Sequence, residues 1–338
     1  MAQINNMAQG IQTLNPNSNF HKPQVPKSSS FLVFGSKKLK NSANSMLVLK
    51  KDSIFMQKFC SFRISASVAT ACMAEKSMSP FVKKHFVLVH TAFHGAWCWY
   101  KIVALMRSSG HNVTALDLGA SGINPKQALQ IPNFSDYLSP LMEFMASLPA
   151  NEKIILVGHA LGGLAISKAM ETFPEKISVA VFLSGLMPGP NIDATTVCTK
   201  AGSAVLGQLD NCVTYENGPT NPPTTLIAGP KFLATNVYHL SPIEDLALAT
   251  ALVRPLYLYL AEDISKEVVL SSKRYGSVKR VFIVATENDA LKKEFLKLMI
   301  EKNPPDEVKE IEGSDHVTMM SKPQQLFTTL LSIANKYK

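Results

Sequence analysis

The sequence lacks the features that several common functions require. Its N-terminal apolar runs, Phe31-Leu32-Val33-Phe34 and Met46-Leu47-Val48-Leu49, fall far short of the ~20 residues that cross a bilayer as a helix. No membrane anchor is expected. Cysteine is sparse and odd in number: Cys60, Cys72, Cys98, Cys198 and Cys212 show no metal-ligand spacing. That argues against a disulfide framework or a metal site and fits free thiols in a reducing compartment. The formal charge of +9 suits nucleic acid or an anionic surface at first sight, but acids are nearly absent from one segment alone. Residues 1–80 hold ten Lys/Arg and two acids, leaving 24 bases against 23 acids, a net of +1, in the other 258 residues. No nucleic-acid partner is expected of a main body so nearly neutral.

The basic segment is rich in Ser and Asn, has no acid before Asp52 and shows no sustained hydrophobic period. That is the composition of an organelle transit peptide, which is set aside from the fold. Residues 1–73 are read as a plastid address, because Ser67-Val68-Ala69-Thr70-Ala71-Cys72 resembles a plastid processing site. The mature chain would begin near Ala74, in the plastid stroma. A disordered tail that stays attached is the alternative.

From His85 onward, short β-branched runs alternate with longer helical patterns, which predicts an α/β domain over 81–338 with a parallel sheet covered on both faces. Expected strands are His85–His90, Asn112–Leu118, Ile154–Gly158, Ser178–Ser184, Arg280–Thr286 and Glu307–Ile311. Helices are expected over Trp97–Ser108, Phe134–Ser147, Ala160–Phe173, Leu291–Glu301 and Pro323–Lys336. The interval 187–277 breaks the rhythm with Pro/Gly/Asn-rich turns and one helical stretch, Pro242–Val253. Insertions of this length within a compact domain usually serve as lids. It is read as a cap over the carboxyl ends of the strands, where open α/β sheets bind ligands.

Gly158-His159-Ala160-Leu161-Gly162 follows an expected strand and opens an expected helix. This is the context of the nucleophile elbow of α/β-hydrolases, G-x-S-x-G, and it predicts that fold with an inserted cap. Alanine stands where the serine would be, and a methyl group cannot form an acyl-enzyme. The acid and histidine of such a triad follow later strands in chain order. Their places hold Glu287-Asn288-Asp289 and Gly313-Ser314-Asp315-His316. His316 is therefore the triad survivor, with Asn288 in the acid's place unless Asp289 substitutes for it. The oxyanion donors would be backbone amides, of Leu161 after the elbow and of Ala92 in the loop after the first strand. Both outlast the loss of the serine. Thr91 sets a hydroxyl beside them, or else bonds its own turn. Cys98 could stand in as a nucleophile but sits in a helical stretch, where a small buried hydrophobe is the simpler reading. Phe93, Leu161, Leu186, Met187 and Met319 could line a tunnel for an alkyl chain or belong to the core.

His90-Thr91-Ala92-Phe93-His94-Gly95-Ala96-Trp97-Cys98-Trp99-Tyr100, Ala115-Leu116-Asp117-Leu118, the elbow, Leu240-Ser241-Pro242-Ile243-Glu244-Asp245, Tyr275-Gly276-Ser277-Val278 and His316-Val317-Thr318-Met319 together resemble the plant methylesterase and hydroxynitrile lyase family. The resemblance covers about residues 81–338. It implies esterases of small plant hormones or lyases of cyanohydrins, yet the chain departs from both. The esterases carry Gly, Ser and Asp where this chain has Thr91, Ala160 and Asn288; the lyases share the threonine but keep the serine and carry Lys at the place of Val317. Thr91, Ala160, Asn288 and His316 together resemble a branch of the family that decarboxylates β-keto acids.

That branch implies release of carbon dioxide from medium-chain 3-keto acids to give 2-methylketones, with Thr91 and His316 donating hydrogen bonds to the developing enolate and Ala92 and Leu161 assisting. It implies no cofactor and no metal, a thioesterase that frees 3-keto acids from acyl carrier protein as functional partner, and it leaves room for a homodimer. A non-catalytic ligand-binding homologue and a weak residual esterase are the rival readings.

Overall fold

The computed structural model describes residues 82–337. The 1–73 segment, its processing site, Cys60 and Cys72 lie outside the described residues. Nine strands are found among those described: β1 (His85–Val89), β2 (Asn112–Leu116), β3 (Ile154–His159), β4 (Ile177–Leu183), β5 (Cys212–Thr214), β6 (Thr225–Ile227), β7 (Leu256–Tyr257), β8 (Arg280–Ala285) and β9 (Glu307–Ile311). The longer helices are α1 (Tyr100–Ser108), α2 (Phe134–Ser147), α3 (Gly162–Thr172), α4 (Ala194–Ser203), α5 (Ile243–Leu252), α6 (Ala261–Glu267), α7 (Lys293–Lys302) and α8 (Pro323–Lys336).

Six strands form one sheet in the order β2-β1-β3-β4-β8-β9, and every pairing in it is parallel. The reason lies in the side chains. Strand residues alternate between two faces, and both faces here are apolar, so both must be covered. Val87, Val89, Leu156, Phe182 and Phe282 meet one helical layer, with Leu141 of α2, Ile166 and Met170 of α3 and Met299 of α7. Phe86, Leu88, Val157, Val181 and Ile283 meet the other, with Ile102 and Met106 of α1 and Leu330 and Ile333 of α8. The fold is the α/β-hydrolase architecture the elbow predicts.

Many strand and helix ends differ from expectation by one to three residues, and two of the differences have clear local reasons. The first helix begins with a 3-10 turn, Ala96–Trp99, before α1 proper. Helix α3 starts at Gly162 rather than Ala160, because Ala160 has φ of +44° and cannot belong to a right-handed helix. The interval between β4 and β8 also holds a small antiparallel sheet, β5-β6-β7. Strands of two and three residues are too short to show alternation, so they left no readable signal. Among the described residues no helix is long and apolar enough to cross a membrane.

Candidate active site

The elbow is built by backbone crowding. A side chain at Gly162 would meet the His90 carbonyl oxygen at 2.6 Å, and one at Gly163 would meet that of Leu186 at 2.3 Å. Only glycine lets β3 turn into α3 against the end of β1 and the strand-β4 exit. Ala160 sits at the apex, 5% exposed, in the left-handed conformation, anchored by Leu186 N–H to its carbonyl at 2.8 Å. That conformation costs a residue with a Cβ about 1–2 kcal/mol. Ala160→Gly should therefore raise stability by up to ~1 kcal/mol, glycine's greater unfolded-state freedom cancelling part of the relief. A urea midpoint that stays or falls would show the turn to be unstrained.

His316 lies in the loop after β9, 5% exposed. Its Nδ1 is 3.0 Å from Asn288 Oδ1, and the same oxygen accepts the N–H groups of Ala290 at 3.1 Å and Leu291 at 3.0 Å. Those two amides fix the oxygen end of the Asn288 side chain. Nδ1 must then be the protonated nitrogen, which leaves Nε2 with a bare lone pair. Burial, reinforced by His94, holds the imidazole down to about 3, so it is neutral near pH 7. In this resting tautomer Nε2 accepts, so donation from His316 to an enolate would need a second proton on the ring. Asp289 does not take the acid's place. Its side chain is 63% exposed and faces His239 at 3.6 Å.

Three further histidines, whose roles were not read from the sequence, hold the surrounding backbone. His90 accepts Leu118 N–H on Nε2 at 3.0 Å and donates from Nδ1 to the Thr91 carbonyl at 2.7 Å. That carbonyl shares its peptide with the Ala92 N–H, so His90 sets the direction of one oxyanion donor. His94 donates to the Ala92 carbonyl at 2.8 Å and accepts from the Tyr238 hydroxyl at 2.7 Å. Burial pushes it down to about 4, which keeps Nε2 free for Tyr238. His159, beside Ala160, donates from Nε2 to the His316 carbonyl at 2.9 Å, and their rings lie 4.6 Å apart. Burial and the neighbouring His316 hold it well below the usual histidine range. The close approach of Gly162 to the His90 carbonyl, the His159–His316 hydrogen bond and the His316–Asn288 contact bring Thr91, Ala92, Ala160, Leu161, Asn288 and His316 together at the carboxyl ends of β1, β3, β8 and β9. Among the described residues no His/Cys/Asp/Glu group is arranged to hold a metal ion.

Thr91 is 5% exposed, and among the described residues its hydroxyl has no protein partner. The reading as a turn threonine bonding its own backbone is therefore not what the structure contains. Neither the Ala92 nor the Leu161 N–H donates to a protein acceptor among the described residues. Three donors are thus unspent around an alanine elbow. Of the apolar candidates, Met187 and Met319 are fully enclosed in the core clusters, Phe93 and Leu186 are 8% and 3% exposed, and Leu161 is half-buried. Cys98 is wholly buried, and burial raises its thiol well above the usual range, which suits an inert core residue.

The inserted segment closes onto this end of the sheet. Asp315, fully buried, accepts from Leu240 N–H at 3.1 Å and the Ser241 hydroxyl at 2.7 Å with one oxygen, and from Val317 N–H at 3.1 Å with the other. Arg254 N–H bonds the Phe93 carbonyl at 2.9 Å. Buried Asp245 of α5 pairs with Lys101 and accepts from the Tyr100 hydroxyl at 2.8 Å.

A parallel sheet with a strained strand-to-helix elbow and a histidine after its last strand defines an α/β-hydrolase, and the chain belongs to that family: residues 86–329 match the Alpha/beta hydrolase family. Among characterised relatives, methyl jasmonate esterase 1 of Vitis vinifera is 50% identical over 256 residues, 75% of this chain and 98% of its own. Polyneuridine aldehyde esterase of Rauvolfia serpentina is 45% identical over 255 residues, 75% and 96%. A crystal structure of a histidine-to-alanine variant of tomato methylketone synthase I, complexed with β-ketoheptanoate, is 98% identical, with a TM-score of 0.75, covering 77% of this chain and all of the other.

Proposed function

We propose that this chain decarboxylates medium-chain 3-keto acids to 2-methylketones. The observation that carries the reading is an intact elbow whose nucleophile position is Ala160 while Thr91 and the Ala92 and Leu161 amides stay unspent. The reading is supported by the 98% identity to a methylketone synthase structure that holds a β-keto acid. Decarboxylation needs no nucleophile. Electrons from the breaking bond flow into the ketone, and pre-aimed donors stabilise the enolate oxygen as its charge grows. Thr91, Ala92 and Leu161 serve as those donors. Asn288 keeps the His316 pocket free of a carboxylate, whose charge would oppose the enolate charge that develops in a poorly solvated site. The esterase activities named for the relatives require a nucleophile this elbow lacks.

We also propose a plastid location, on the composition of residues 1–73, and a thioesterase acting on 3-ketoacyl carrier protein as the supplier of substrate. The test is incubation with a medium-chain 3-keto acid and measurement of methylketone by gas chromatography. Product formation well above the spontaneous rate is expected; formation at the spontaneous rate refutes the proposal.

A further inference from the structure

The resting tautomer of His316 constrains what can bind beside it. Asn288 Oδ1 is held by two backbone N–H groups and receives the Nδ1 proton, so Nε2 offers only a lone pair. The charged and titratable neighbours do not change this. His159 from the elbow has spent its own N–H on the His316 carbonyl, and His94 from the β1 loop has spent its N–H on the Ala92 carbonyl. Asp315 on the same loop has both oxygens engaged, and Asp289 beside Asn288 is exposed and faces His239. A ligand that meets Nε2 must therefore bring the donor. A 3-keto acid has one proton suited to that: the one on its carboxyl group.

We propose that the keto acid binds with one proton, shared between its carboxyl and His316 Nε2, and that His316 carries this proton through the reaction. The bond between the carboxyl carbon and the α-carbon breaks, and its electron pair enters the ketone to give the enolate. Carbon dioxide leaves, and the proton remains on Nε2 as an imidazolium. It is then delivered to the α-carbon, which becomes the methyl group of the ketone, and His316 returns to its neutral form. Atoms and charge balance with no co-reactant. An imidazolium in so dry a site is a strong acid, since burial holds His316 down to about 3, so return of the proton is downhill. This role rests on the decarboxylase reading and replaces hydrogen-bond donation by His316 with proton carriage.

A free keto acid is an anion near pH 7, so formation of this complex takes up one proton from solution. The expected result is a kcat/KM that falls about tenfold per pH unit between roughly pH 5.5 and 8.5; a profile flat over that range overturns the proposal. An independent readout is calorimetric titration with a 3-hydroxy acid of the same chain length, which cannot lose carbon dioxide, in buffers of different ionisation enthalpy. Uptake near one proton in the wild type and none in His316→Ala supports the proposal; no uptake in the wild type overturns it. Methylketone formation with a flat pH profile would leave the decarboxylase reading standing and remove this one. One-proton uptake without methylketone would overturn both, because proton carriage by His316 has no meaning without loss of carbon dioxide.

Discussion

Replacing His316 with alanine is expected to lower enzyme-catalysed methylketone formation by about 10²- to 10⁴-fold, the range associated with loss of a proton-transfer group. The residue is 5% exposed and joined to Asn288 on one side and, through its carbonyl, to His159 on the other. Truncation therefore also opens a small cavity. The chemical role is separated from this by melting temperature and by His316→Gln, which fills much of the space but carries no titratable nitrogen. A stably folded glutamine variant with near wild-type turnover would remove His316 from the chemistry. The backbone donors at Ala92 and Leu161 remain in both variants, so a residual rate above the spontaneous one is expected from electrostatic stabilisation alone.

The second large effect runs in the opposite chemical direction. Restoring Ala160→Ser together with Asn288→Asp should raise hydrolysis of 4-nitrophenyl acetate at least ~10³-fold over the parent, because an Asp-to-Asn change in a triad costs roughly 10⁴ by itself. The geometry for this already exists. The apex backbone has φ of +44°, and an aspartate oxygen at position 288 would inherit the two amide donors and the Nδ1 proton of the asparagine. The new charge would raise the proton affinity of His316 from its present low value and make it a competent base. Decarboxylation should fall in the same variant, since a buried carboxylate disfavours the enolate charge that develops in the same dry pocket. Each single change should give little esterase activity, as the triad acts as a unit. If the double variant hydrolyses no faster than the parent, the pocket has diverged beyond these two positions.

Both predictions begin in features visible along the chain and end in ones that are not. The parallel sheet was legible because β1, β3, β4 and β8 are apolar on both faces, a pattern that an open antiparallel sheet does not require. The elbow was legible because crowding at Gly162 and Gly163 admits no side chain. The small β5-β6-β7 sheet was not, being too short for any period. The positioning roles of His90, His94 and His159 were also hidden, although all three residues lie inside motifs that drew attention. A histidine's role depends on which of its nitrogens is occupied, and each partner here (Leu118, Tyr238, the His316 carbonyl) is distant in sequence.

The sequence by itself determined the architecture, the order of the catalytic positions and the loss of the nucleophile, because each follows from local periodicity, from glycine requirements or from the identity of a single residue. Tertiary structure alone decided what His316 can do. Its tautomer is set by the side-chain oxygen of Asn288, from a loop distant in sequence whose own Ala290 and Leu291 amides hold that oxygen in place, and Asp315 draws Leu240 and Ser241 onto the same end of the sheet. Hydrogen-bond direction is a property of contacts between distant segments, so no local pattern in the chain could encode it legibly.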